Sequence, residues 1–211
     1  MNSTEFIDLS GVCSATLPNY PNKLCATTGQ FLDDAAIICG GYHITDHFIS
    51  DCFFLRYGAN SFEIMTQMIE ERAFAKSIVT QGRIWVTGGV NEYGRISSTE
   101  YIPKSSTPEP SLPEPVEKHA VISINDTTSM LIGGSTNSNF YSPKTYYFNH
   151  KSNTWKNGPN LISGRYFHAA GLIMDHVTHK QHIAVVGGSD GGNRNSVELL
   201  LNGETQWTKG I

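Results

Sequence analysis

Apolar residues fall in short runs, each ended by glycine or a turn. Four of these runs close on a glycine pair: IICGG (37–41), WVTGG (85–89), MLIGG (130–134) and AVVGG (184–188). The first glycines are Gly40, Gly88, Gly133 and Gly187, and the second are Gly41, Gly89, Gly134 and Gly188. Successive pairs are thus 48, 45 and 54 residues apart. Eleven residues past the second glycine come Cys52, Glu100 and Thr145, and ten past the last comes Glu198. Each opens a short aromatic or aliphatic run that predicts a strand. A further apolar segment precedes every pair, and a bulky aromatic follows in three units: Phe62, Trp155 and Trp207. Each unit therefore predicts four strands, a to d. Strand b ends in the glycine pair, and a loop of about ten residues separates b from c. Sustained 3.6-residue periodicity with caps is absent. Residues 66–76 (TQMIEERAFAK) alone could form a helical turn, but the repeat register makes them a loop and the start of strand a.

Self-similarity at a fixed period near 50 residues is the mark of a repeat architecture. The units resemble the Kelch repeat, the blade of a β-propeller. The resemblance covers essentially the whole chain. It rests on the four glycine pairs, on Tyr101, Tyr146 and Tyr147 in strand c, on Trp155 and Trp207 in strand d, and on the M-x₃-R pattern Met68 to Arg72. It implies an all-β, Kelch-type β-propeller fragment: an N-terminal half blade (1–20) and four blades (21–66, 67–115, 116–161 and 162–211). The half blade follows from Ser3-Thr4-Glu5-Phe6-Ile7, which matches Ser98-Thr99-Glu100-Tyr101-Ile102. An open array would expose two apolar blade faces, so self-association is expected. The second unit departs from the pattern. It has no tryptophan in strand d, and its residues 103–115 are proline-rich, as befits a degraded edge strand.

Composition narrows the function. The chain has 211 residues, a net charge of −4 and only 16% charged residues. That excludes nucleic-acid binding by a bulk positive field. No apolar run approaches the roughly 20 residues of a membrane-spanning helix. All four cysteines lie early: Cys13, Cys25, Cys39 and Cys52. Cys39 and Cys52 flank the first b–c loop on neighbouring strands, so a disulfide is geometrically sound. Cys13 and Cys25 bracket a turn-rich segment and could form a second. Buried thiols are the other reading of all four. Two N-x-[ST] sequons, at Asn2 and Asn125, fit a secreted protein and tilt the balance that way.

No catalytic motif is present: neither a G-x-S-x-G elbow nor HExxH. His176, His179 and His182 fall on an a–b hairpin, which does not hold a spacing of three on one face, so no metal is expected. No cofactor is expected either. A partner protein is expected on the face bearing the b–c and d–a loops, where sequence varies over a fixed scaffold. Aromatic and arginine side chains are favoured hot-spot types, which selects Tyr42, His47, Tyr93, Arg95, Phe140, Tyr141 and Arg194. The d–a turns add Arg72 and Arg165, for which the other reading is that they bond neighbouring backbone carbonyls. The resemblance implies a noncatalytic protein-binding scaffold. Two other roles stay open: a BTB-Kelch-like ubiquitin-ligase adaptor inside the cell, or part of a secreted oxidase-like or carbohydrate-interacting propeller.

Overall fold

A computed structural model describes residues 17–45, 47–103, 109–192 and 195–210. The described chain is all-β, and it contains no helix. Its strands form four principal antiparallel sheets in sequence order. The first holds Thr28–Leu32, Ala35–Cys39, Asp51–Arg56 and Glu63–Gln67. The second holds Lys76–Thr80, Arg83–Thr87 and Thr99–Ile102. The third holds Ala120–Asn125, Thr128–Ile132, Thr145–Asn149 and Thr154–Asn157. The fourth holds Ala169–Met174, Gln181–Val186, Val197–Leu200 and Thr208–Lys209. Each of these four sheets is an antiparallel meander in which the strands named pair in the order given. Strands b and c thus lie where the glycine clock puts them. The 66–76 segment finishes one strand d, crosses a loop and begins strand a at Lys76. Among the described residues the second sheet has three strands; residues 104–108 of its proline-rich segment lie outside the description.

Strands alternate because one face of each sheet packs on the sheet before it and the other on the sheet after it. Ile37, Cys39 and Cys52 of the first sheet share a core with Ile84, Val86 and Ile102 of the second. Trp85 and Tyr101 of the second sheet meet Phe148 of the third, with the Trp85 and Phe148 rings stacked at 4.9 Å. Met130 and Ile132 of the third sheet meet Ile183, Val185 and Leu200 of the fourth. Trp207 is buried in that core, and its indole N–H donates to the Pro159 carbonyl at 2.8 Å. Trp155 is half-buried beside Trp85 and Phe148. Cys39 and Cys52 form a disulfide within the first core. Cys25 is a free, exposed thiol. Cys13, its expected partner, lies outside the described residues.

The seams between sheets are made of backbone. Four residues at the start of strand a adopt left-handed φ: Ala26 (57°), Phe74 (55°), Lys118 (56°) and Phe167 (56°). From Phe74 on, each N–H reaches the carbonyl of its counterpart one sheet back: Phe74 to Ala26 at 2.9 Å, Lys118 to Phe74 at 3.0 Å, Phe167 to Lys118 at 2.9 Å. The second glycines form a parallel series, with Gly41 N–H to Arg72, Gly89 to Val116 and Gly134 to Arg165. Each bond crosses from one sheet to the lead-in of the next. These close passages need glycine. At Gly88, φ is +56° and an added Cβ would strike the Val116 carbonyl oxygen, in a backbone region that L residues avoid.

Candidate binding face

Short pairings build one end of the molecule. Leu24–Cys25 pairs with Tyr42–His43, and Val116–Glu117 with Ser135–Thr136. Single bridges join Ala73 to Val90 and Tyr166 to Ser189. In all four units the residue after the second glycine pairs with the lead-in to strand a. The b–c and d–a loops therefore share a face.

Small polar residues stiffen these loops. His47–Phe48 folds back on Tyr42–His43. The Tyr42 and Phe48 rings meet edge-on at 5.0 Å, and His43 and His47 lie 4.8 Å apart around Thr45. In the second unit Val90–Asn91 pairs with Gly94–Arg95, and the Asn91 carboxamide oxygen accepts from the Tyr93 N–H at 3.0 Å. That local bond holds the hairpin tip and leaves Tyr93 88% exposed. In the third unit Thr136 caps Asn139, and Phe140 stands 63% exposed. Tyr141 is half-buried and stacked on Tyr166 at 5.6 Å.

The sequence-selected residues thus divide. Tyr93, Phe140 and His47 present their side chains to solvent, and Tyr42 and Tyr141 are half-buried on neighbouring rings. Arg194 lies outside the described residues. Arg95 is turned inward. It pairs with Glu117 at 3.1 Å, donates to Ser135 at 3.0 Å and lies 5.0 Å over the Phe140 ring.

Arg72 and Arg165 bond backbone carbonyls, the second of their two readings, rather than facing a partner. Their side chains are 1% and 0% exposed. The Arg72 guanidinium donates to the Gly88 and Ser98 carbonyls at 3.0 and 3.2 Å, and to Glu100 at 2.8 Å. Arg165 repeats the set with Gly187, Ser196 and Glu198 at 2.9, 3.3 and 2.5 Å. Burial lowers the pKa of Arg72 from its usual value, and Glu100 and Glu70 oppose that shift. A rigid fork of five donors suits a carbonyl-lined pocket with one carboxylate. These arginines hold the first glycine and strand c of their own sheets.

Sequence reasoning missed the middle of the face. The Lys118 Nζ lies 4.6 Å from the Phe74 ring, 5.2 Å from Phe167 and 5.8 Å from Tyr166, and 3.5 Å from a Glu117 oxygen. Phe74 and Phe167 meet at 5.7 Å, although they come from the second and fourth sheets. A cation held over aromatic faces is a stabilising arrangement. The signal was an R-x-F step present twice, Arg72-Ala73-Phe74 and Arg165-Tyr166-Phe167. Ile69 and Ile162, which follow Met68 and Leu161 in equivalent turns, add exposed apolar surface.

Among the described residues no three His, Cys, Asp or Glu side chains are grouped to hold a metal ion. His182 is instead 3.8 Å from Asp175. No helix among them is long and apolar enough to cross a membrane. No protein-family model matches the chain, and no curated protein matches it.

Proposed function

We propose that the chain is part of a Kelch-type β-propeller. In this reading the four sheets are successive blades. The face bearing the b–c and d–a loops is a noncatalytic surface for another protein. The observation that carries it is the left-handed series Ala26, Phe74, Lys118 and Phe167, which links the sheets by one repeated hydrogen bond. A repeated step between equivalent sheets is what a blade-by-blade turn about one axis requires. The Phe74–Phe167 contact across two seams fits a curved array.

The binding role is supported by how the face divides its chemistry. Arg95, Glu117 and Thr136 are engaged in holding the loops. Among the exposed side chains are five large apolar or aromatic ones: Ile69, Tyr93, Phe140, Ile162 and Phe167. Such a surface, rimmed by polar loops, matches a protein interface better than a reaction centre. The disulfide favours the secreted form of this reading.

A photo-crosslinking residue placed at Tyr93 or Phe140 in native cells is expected to give one discrete adduct. The same residue at Tyr57, an exposed site in the c–d turn of the first sheet, is expected to give none. Adducts from Tyr57 alone would overturn the assignment of the face. With the partner purified, Tyr93→Ala and Phe140→Ala are each expected to weaken Kd by about tenfold or more, with Tm unchanged.

A further inference from the structure

We propose that Asn125 is a site of N-linked glycosylation. Asn125-Asp126-Thr127 is an N-x-[ST] acceptor without proline, and its geometry suits the modification. Asn125 ends strand a of the third sheet, Thr128 opens strand b, and Asn125 and Asp126 are exposed at the hairpin tip. The Asn125 carboxamide oxygen accepts from the Thr127 N–H and from the Thr127 hydroxyl, both at 3.0 Å. Both bonds engage the carboxamide oxygen rather than Nδ2, on an exposed residue. A second observation is independent of the motif. The Cys39–Cys52 disulfide belongs to an oxidising compartment, and N-glycan transfer takes place on that same route.

The acceptor chemistry is a substitution on a lipid-diphosphate-linked oligosaccharide. The Asn125 Nδ2 attacks C1 of the first sugar, the C1–O bond to the diphosphate breaks, and one Nδ2 proton passes to the transferase. The products are the N-glycoside and the free lipid diphosphate. The hairpin tip is at the end of strands a and b opposite the b–c loops, so a glycan there leaves the binding face uncovered.

The test is a peptide map of the protein from its native source. Glycan-releasing amidase in heavy-oxygen water is expected to convert Asn125 to labelled Asp in the tryptic peptide 119–144. Asn125→Gln and Thr127→Ala are expected to abolish the amidase-sensitive mobility shift of this site, and Thr127→Ser to keep it. An unlabelled Asn125 in the native protein would overturn the proposal. So would labelling of residue 125 that survives Thr127→Ala. The peptide map reads the site directly, so a variant that folds poorly does not decide the matter.

Discussion

Gly88 and Gly82 both have left-handed φ, +56° and +69°, but their surroundings differ. A Cβ on Gly82 meets nothing within 4 Å, whereas one on Gly88 meets the Val116 carbonyl. Gly82→Ala is expected to cost only about 1 kcal/mol, the penalty of the backbone region alone. Gly88→Ala is expected to cost about 2 kcal/mol more, because a seam must open. Urea midpoints compare the two, and equal losses would refute the close-approach argument. Arg165→Ala strands the buried Glu198 carboxylate and is expected to destabilise by about 3–5 kcal/mol. Arg165→Lys is not expected to restore stability, since an ammonium cannot span Gly187, Ser196 and Glu198 together. The equivalence of Arg72 and Arg165 and their bonding to backbone carbonyls could be read from the sequence, but the carboxylates that join them could not. Their carboxylate partners lie 28 and 33 residues downstream. Loops of unequal length therefore hide a spacing that the fold makes identical.

Strands and seams set the response to acid. His119 and His168 occupy equivalent first positions after the left-handed residue. The His119 Nε2 lies 2.8 Å from the Thr87 hydroxyl, and the His168 Nε2 donates to the Ile132 carbonyl at 3.1 Å. Burial, chiefly, pulls His119 down to about 3 and His168 down to about 4. His150, buried between Tyr101 and Ser129, is lowered to about 4 by the same cause. All three are neutral when folded and protonate below 6.5 when unfolded. The unfolded state then binds more protons, so stability falls as pH drops from 6.5 toward 4. The slope is up to about 1.4 kcal/mol per pH unit and site. Urea unfolding at pH 7.5, 5.5 and 4.5 measures it, and His119→Gln with His168→Gln is expected to flatten it by roughly two thirds. An unchanged slope would show that these imidazoles are not the cause. At this level the sequence was informative. Periodicity and the glycine clock located strands b and c, and neighbouring positions located the disulfide. The two-residue ladders at 24–25, 90–91 and 135–136 escaped notice, because two residues carry no alternation to detect.

The four sheets are not equally covered. Thr87, one residue before its glycine pair, is buried under His119. Val186 holds the same place in the fourth sheet and is 47% exposed, with Ile173 and Ala169 exposed on the same face. The 211-residue chain is therefore expected to self-associate through this face in sedimentation velocity. Ile173→Glu with Val186→Glu is expected to return it to monomer, and persistence of the larger species would place the contact elsewhere. The repeat count and the order of sheets were readable from glycines. The seam was not, because its four residues, Ala26, Phe74, Lys118 and Phe167, share a backbone conformation but carry three different kinds of side chain.

That mixture of side chains has its own consequence. The hydrogen bonds that link these four positions use only N–H and carbonyl groups, so the links themselves do not dictate which side chains stand in the middle of the loop face. A methyl, a benzyl group and an ammonium already stand at equivalent places. Exchanging the side chains at positions 74, 118 and 167 is therefore expected to change the chemistry of the loop face and to cost the cation–aromatic contacts of Lys118, while the backbone links between sheets persist.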